Sequence, residues 1–252
     1  DAYTPGAVGD NRHTGKLPTA PKPNPVNVFR AYDLSAGDTV YIDTGDYPMI
    51  DPVAVSGLLG NAPAVQLLAG PGMGRDFGFT LTGPTDPALV ARLYPAIPGD
   101  RTRPLIDLND SDFVTIRHLT LQNALRGLST HNDSDSLNLS QITASGHALQ
   151  GFNLAGTDSR FGSFDRLVAF NNGDDGIAIS GAIGTLSHSQ AYGNAQRGFD
   201  IAARIFGSAT DNLARNNASW GMYFDGSGAG AIQRNTVHNN AGVIKTKQAI
   251  KK

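Results

Sequence analysis

Residues that can carry chemistry concentrate in three successive segments of the chain between residues 172 and 225. They combine carboxylates, a guanidinium, an indole and a phenol: Asp174, Asp175, Arg197, Asp200, Trp220, Tyr223 and Asp225. An arginine can hold a substrate carboxylate, a carboxylate or a phenol can move a proton, and an indole can stack on a sugar ring. Carboxyl pairs about 6.5–9.5 Å apart would instead suit inverting glycoside hydrolysis. Both chemistries stay open at this stage.

A glycine that recurs every 21 to 25 residues sets the positions of these side chains. The six glycines are Gly127, Gly151, Gly176, Gly198, Gly221 and Gly242, and an apolar residue follows each of them. Such a period predicts a solenoid of stacked coils. Equivalent residues of adjacent coils then lie about 4.8 Å apart, so the candidate site spans roughly 10 Å along the axis, which is roughly two sugar units. His131 lies about four coils from Tyr223 and therefore cannot share one reaction centre with it.

Composition favours an all-β protein. The 252 residues include 30 glycines, 14 prolines and 22 acidic residues that are all Asp, so strong helix formers are scarce. The absence of cysteine excludes disulfides and thiolate catalysis. The net charge of −2 predicts no nucleic-acid partner, and no apolar run is long enough to predict a membrane span.

Two regions are predicted along the chain. Residues 1–36 are expected to form an N-terminal arm and cap, without a regular element in residues 1–28, and residues 37–252 a parallel β-helix. Strands are predicted at 40–42, 52–56, 64–69 and 78–82. The segment between Pro84 and Pro104 is expected to leave the solenoid as an irregular excursion with a helical turn or two.

The repeat resembles the right-handed parallel β-helices of the pectate-lyase-like superfamily, of the kind embedded in large bacterial exported proteins. The resemblance covers roughly residues 37–246. Asparagines stand where that superfamily has its asparagine ladder: Asn123, Asn171, Asn172, Asn194, Asn216, Asn217, Asn239 and Asn240. The resemblance implies polysaccharide binding along the outer face of the strand that follows each glycine. It also implies a secreted or cell-surface location and neighbouring modules of the same polypeptide as partners.

The resemblance points to a carbohydrate-directed β-helix that binds or modifies an acidic polysaccharide as a lyase or epimerase. Glycoside hydrolysis remains open, and the alternative is a non-catalytic structural repeat of a large surface protein. The predicted catalytic residues are Arg197, Asp200, Tyr223 and Asp225, and the predicted substrate-binding residues are Asp174, Asp175 and Trp220. No specific enzyme family is matched: the further polygalacturonase motifs and the tyrosine-aspartate-histidine cluster of mannuronan epimerases are missing.

Two further features complete the expectations. No cofactor is required, although Asp174 and Asp175 are a candidate Ca²⁺ site. A stripe formed by Phe170, Tyr192, Arg215 and His238 offers an alternative sugar platform on another face. A second column, His118, Gln141, Arg166, His188, Asp211 and Arg234, is predicted at the turn between two strands, with His188 and Asp211 as neighbours.

Overall fold

The protein is a stack of parallel coils, each built from three short strands. The computed structural model describes residues 9–32, 34–49, 66–68, 78–109, 111–132, 134–156, 159–226 and 230–246. The predicted strand at 52–56 lies outside these residues. Every strand pairing in the described part of the chain is parallel and joins neighbouring coils. The predicted parallel β-helix is therefore confirmed.

The strands form three faces along the axis. Face 1 contains β1 (Thr39–Tyr41), β4 (Thr80–Thr82), β11 (Arg160–Asp165), β14 (Ala182–Ser187), β17 (Ile205–Thr210) and β20 (Ala231–Gln233). Face 2 contains β2 (Gly45–Met49), β5 (Ala91–Pro95), β12 (Val168–Phe170), β15 (Gln190–Tyr192), β18 (Leu213–Arg215) and β21 (Thr236–His238). The long strands β7 (Thr115–Gln122) and β9 (Asn138–Ser145) cross from face 1 to face 2.

Face 3 is a separate sheet made by the strands that follow the recurring glycines. Its members are β3 (Gln66–Leu68), β6 (Ile106–Asn109), β8 (Leu128–His131), β10 (Phe152–Leu154), β13 (Ile177–Ile179), β16 (Phe199–Ile201), β19 (Trp220–Phe224) and β22 (Gly242–Thr246). Strand β3 confirms the prediction at 64–69, as β1 and β4 confirm those at 40–42 and 78–82.

The core lies between the three faces. Face 3 contributes a column in register, Leu128, Phe152, Ile177, Phe199 and Met222, and each of these side chains is buried. Face 1 contributes the opposing column Ile116, Leu139, Phe164, Leu186 and Ala209, also buried. Because strand side chains alternate, the residues next to these core residues along each strand point away from the core. The stacking thus produces one apolar interior and outward polar rows.

Two bends per coil use left-handed backbone. The first bend places His118, Gln141, Arg166, His188, Asp211 and Arg234 at φ between 50° and 59°, which confirms the predicted turn column. The second bend has positive φ at Asn123, Asn171, Asn216 and Asn239, and at Gly146 and Gly193 in the remaining coils. Asparagine tolerates this conformation better than most residues, which explains its recurrence there.

The buried asparagine ladder starts one residue after the second bend. Asn172, Asn194 and Asn217 each donate to the side-chain oxygen of the asparagine on the next coil at 2.8–3.0 Å, and Asn240 accepts the last of these bonds. Asn123 was predicted in this ladder but lies at the bend before it, and Ala124 follows. The next coil places His147 in the ladder: its Nδ1 accepts from the Ala124 N–H at 3.1 Å.

A second ladder at the first bend was not predicted. Asn212 Nδ2 donates to Asn235 Oδ1 at 3.0 Å, and the Ser189 N–H donates to Asn212 Oδ1 at 2.9 Å. In the same register, the Leu167 N–H donates to Ser189 Oγ. Both bends of the later coils are therefore held by buried polar side chains that satisfy one another.

Two expectations about irregular regions are wrong. Residues 25–31 form a helix, α1 (Pro25–Ala31), because Asn24 caps it by accepting from the Val26 N–H and proline suits its first position. Phe29 on this helix meets Phe79 of the first coils at 5.6 Å between ring centroids. The segment 84–104 does not leave the solenoid, since its strand β5 pairs with β2 and β7.

Candidate functional site

Face 3 carries an outer row with one side chain per coil. The row, read along the axis in strand register, is Asp107, Ser129, Asn153, Ala178, Asp200, Tyr223 and Lys245. From Asp107 to Tyr223, each residue of the row lies between two buried neighbours and therefore points away from the core, and Lys245 continues the row through its register with Tyr223. Four register steps separate Ser129 from Tyr223, which agrees with the predicted distance between His131 and Tyr223.

A second row, the pre-glycine row, runs beside the outer row at the entry to each strand. It consists of Arg126, Gln150, Asp175, Arg197 and Trp220, with Asp174 next to it. Arg126 Nε donates to Gln150 Oε1 at 2.7 Å, and Gln150 Nε2 donates to Asp174 Oδ2. The Arg197 N–H donates to Asp175 Oδ1 at 2.8 Å. Hydrogen bonds therefore link the row from coil to coil.

All four predicted catalytic residues meet in one cluster. Arg197 Nη1 bonds Asp200 Oδ2, and its guanidinium carbon lies 4.6 Å from the centre of the Tyr223 ring. The Tyr223 hydroxyl donates to Asp225 Oδ2 at 3.4 Å. Asp175 is bonded by the backbone of Arg197 and not by its guanidinium, because the guanidinium turns to Asp200. These four residues, Arg197, Asp200, Tyr223 and Asp225, are called the C-terminal cluster below.

Trp220 and Lys245 lie at the edge of this cluster that is nearer the C-terminal coils. Lys245 Nζ lies 5.6 Å from the Trp220 ring and 5.7 Å from the Tyr223 ring. The indole also lies against Gly242, where an added Cβ would come within 2.3 Å of Trp220 Cε3. Part of the indole is thus covered. Sequence reasoning missed Lys245, which stands among several lysines near residue 252 and matches no repeat signal, whereas its register with Tyr223 places it in the outer row.

Burial changes the acid–base behaviour of the carboxylates. Asp175 is buried, and desolvation together with the charges of Asp200 and Asp174 raises its pKa to about 6, against the opposing Arg197 backbone bond. Burial also raises the pKa of Asp200, although its bond to Arg197 opposes the shift. Asp175 therefore takes up a proton at mildly acidic pH.

The other end of face 3 holds an N-terminal cluster formed by Asp107, Arg126 and His131. His131 Nε2 lies 2.7 Å from Asp107 Oδ1, with the imidazole 48% exposed and the carboxylate 12% exposed. Burial raises the pKa of Asp107, while His131 and then Arg126 lower it. An imidazole anchored by a buried carboxylate can exchange protons with a ligand. Sequence reasoning missed Asp107 because it precedes the first recurring glycine.

The alternative aromatic stripe faces outward on face 2. Phe170 and Tyr192 stack at 5.0 Å with an interplanar angle of 4°, and Arg215 covers the Tyr192 ring at 4.3 Å. Because the rings stack along the axis, they cover one another's faces and present their edges to solvent. The arrangement is less suited to stacking on a sugar than a single exposed ring.

The predicted turn neighbours do not pair with each other. His188 Nδ1 contacts Asp165 Oδ1 at 2.8 Å on the preceding coil, and Asp211 binds Arg234 on the following coil. Within the described residues no group of three or more acidic or histidine side chains is arranged to hold a metal ion. Among the same residues, no helix is long and apolar enough to cross a membrane.

The coils and their asparagine ladder define the fold. It is a parallel β-helix. Among solved structures, the A-module of the Azotobacter vinelandii mannuronan C-5 epimerase AlgE4 aligns with a TM-score of 0.46 and 17% identity, over 86% of this chain and 72% of that one. Pectate lyase Pel9A aligns with a TM-score of 0.42 and 11% identity, over 93% and 76%. No family model matches the chain, and no curated protein matches its sequence.

Proposed function

We propose that face 3 binds an acidic polysaccharide that lies along the solenoid axis. The observation that carries the proposal is the C-terminal cluster, in which Arg197 lies between a carboxylate and a phenol on the outer face of parallel coils. A guanidinium has five N–H donors and suits a planar carboxylate, so it can bind a uronate while keeping one bond to Asp200. Lys245 adds a second cation one coil beyond Tyr223.

The predicted residues take these roles in the proposal. Arg197 binds a substrate carboxylate, Tyr223 and Asp225 exchange protons, and Asp200 orients Arg197. The remaining three, Asp174, Asp175 and Trp220, contact neighbouring sugars. A uronate with its carboxylate neutralised in this way loses the C5 proton more readily, which is the shared first step of lyase and epimerase chemistry. Hydrolysis by the paired carboxylates is the competing reaction.

Electrostatics predict how binding depends on pH. Four aspartates stand in or beside the C-terminal cluster, and ionised carboxylates repel a polyanion. The pKa of Asp175, which is raised to about 6, means that this carboxylate becomes neutral as the pH falls. Binding of an acidic glycan is therefore expected to strengthen from pH 8 to pH 5.

The proposal includes an extracellular location and neighbouring modules of the same polypeptide as further partners. Its support is the resemblance of the repeat to β-helix modules of exported proteins. A second candidate, a non-catalytic structural repeat, is favoured by one observation: the polar side chains of face 3 already bind one another from coil to coil.

A glycan panel with activity assays tests the proposal. The purified protein is incubated with polygalacturonate, polymannuronate, polyguluronate and neutral glucans. Binding is measured by calorimetry, unsaturated products by absorbance, epimerised sugars by NMR and new reducing ends by a colorimetric assay. We expect binding of at least one polyuronate, lost in Arg197→Ala and retained in Arg160→Ala, an exposed arginine on face 1. If the protein binds none of these glycans, the proposal is wrong and the non-catalytic structural repeat is the remaining candidate.

A further inference from the structure

Face 3 repeats its arginine at two equivalent positions. Arg126 and Arg197 each precede a recurring glycine, Gly127 and Gly198, and three coils separate them. Parallel strands lie about 4.8 Å apart, so the two guanidinium groups start from positions about 14 Å apart on one straight row. Because both belong to the same row of the same sheet, they can contact a single extended ligand.

Each arginine has an acid of the outer row beside it. Arg197 bonds Asp200, and the charge of Arg126 acts on Asp107, which also binds His131. The C-terminal and N-terminal clusters thus have the same plan of a cation, a partly buried carboxylate and a further proton-exchanging side chain. Two similar clusters on one face suggest two contacts with one repeating polymer.

The outer row between the clusters is small and uncharged. Its members are Ser129, Asn153 and Ala178. Asn153 Nδ2 donates to Ser129 Oγ at 3.4 Å, so these two side chains lie along the row. A chain bound at one cluster therefore meets neither a bulky side chain nor a charge in this row before it reaches the other.

We propose that one polyanionic chain bridges the two clusters, so that the preferred ligand is an internal stretch of at least about four acidic sugar units, the length that spans three coil spacings. This inference rests on the proposed function. A chain already held at Arg197 presents its next carboxylates to Arg126 at a high effective concentration, which raises the affinity without any new contact at the first cluster. Short oligosaccharides can reach only one cluster.

The test is a calorimetric titration with oligogalacturonates and oligomannuronates of defined length, from dimer to octamer. We expect the affinity to rise at least about tenfold between the trimer and the pentamer and to change little beyond that. Arg126→Ala should remove this rise, so that the octamer binds no more tightly than the dimer. Arg197→Ala should weaken both the dimer and the octamer and should also remove the gain with length, whereas Arg160→Ala should change neither.

A second variant tests bridging without removing a charge. Asn153→Trp places a large ring midway along the outer row, so it should abolish the gain of the octamer over the dimer while the dimer still binds. Thermal melting identifies variants that fail to fold. Affinity independent of length, or an Arg126→Ala variant that weakens all lengths equally, overturns bridging and leaves the proposed function standing. No binding at any length overturns both.

Discussion

The buried ladder and the pre-glycine row stack one side chain per coil in the same way, yet they differ in chemistry. Asn172, Asn194 and Asn217 are 1–3% exposed and neutral, and each satisfies its neighbours with amide bonds. The pre-glycine row has charged members, and the side chain of Arg197 in this row is 35% exposed. Burial excludes unpaired charge, whereas the surface permits it. The comparison implies that changes in the ladder affect folding and changes in the row affect binding.

The largest effect is expected from Asn194→Ala. Its amide oxygen accepts from the Asn172 N–H and from Asn172 Nδ2, and its Nδ2 donates to Ala169 O and Asn217 Oδ1. Removing it leaves several buried groups unsatisfied, which should lower the free energy of unfolding by about 3 kcal/mol or more. Urea denaturation measures the loss. Exposed Gln196→Ala is the control, and equal stability of the two variants would contradict a structural ladder.

His147 tests the same ladder through pH. Its Nδ1 accepts from Ala124 and its Nε2 donates to Leu121 O, so the folded protein needs the neutral ring. Burial lowers its pKa to about 4 from 6.5. The folded state therefore binds fewer protons than the unfolded state, and stability falls as the pH drops from 6.5 to 4, by about 3 kcal/mol.

The measurement is the free energy of unfolding of the wild type and of His147→Asn between pH 7 and pH 4. Asparagine restores the common ladder residue and does not titrate. The variant should become more stable relative to the wild type as the pH falls. A constant difference across this range would show that His147 does not titrate as described.

Arg197→Ala tests the row. The arginine is partly exposed, and such an ion pair contributes at most about 1 kcal/mol, so the melting curve should change little. Binding of an acidic glycan should weaken at least about tenfold, which corresponds to about 1.4 kcal/mol. Calorimetry and thermal melting of the same samples separate the two effects. If affinity survives here but is lost in Phe170→Ala or Tyr192→Ala, the binding face is face 2.

Asp175 lies between the two regions, since it belongs to the row yet is buried. Its folded pKa of about 6 exceeds the ordinary 3.8, so its ionisation lowers stability as the pH rises from 4 to 6. Asp175→Asn keeps an acceptor for the Arg197 N–H and should be more stable than the wild type at pH 7 by about 1 kcal/mol after solvent screening. The difference should vanish near pH 4. Chemical denaturation at both pH values checks this.

The smallest effect is expected for a pair outside both stacks. Arg92 Nη1 bonds Asp46 Oδ1 at 2.6 Å, with the two side chains 41% and 57% exposed. Arg92→Ala should change the free energy of unfolding by no more than about 0.5 kcal/mol and leave glycan binding intact. A larger loss in urea denaturation would mean that surface charge pairs, and not the ladder alone, hold the coils together.

The coils were predictable because the sequence signal for them is periodic. Glycines and apolar residues repeat once per coil, and because coils stack in register, equivalent residues of successive repeats become neighbours. The position of the ladder was not fully predictable, since two asparagines are often adjacent. Asn171 lies at the bend and Asn172 lies in the ladder. His147 occupies a ladder position where the other coils have asparagine, so the asparagine pattern does not identify it. Its role is shown only by its hydrogen bonds.

The site was predictable only where the repeat extends. Arg197 and Tyr223 fall on neighbouring coils by period, and the structure brings them together. Asp107 precedes the counted glycines and Lys245 follows them, so the pattern did not reach either. Helix α1 and strand β5 depend on a proline at a helix start and on tertiary pairing, which local composition does not reveal.

The purely parallel pairing also determines how the protein responds to force. Each described strand is bonded only to the coils directly before and after it, so tension along the axis loads the strands of one coil at a time. Buried amides such as Asn217 span adjacent coils and act as cross-links between them. Pulling from the carboxyl end should therefore extend the chain in discrete steps of one coil, 22 to 25 residues each across Gly127–Gly221.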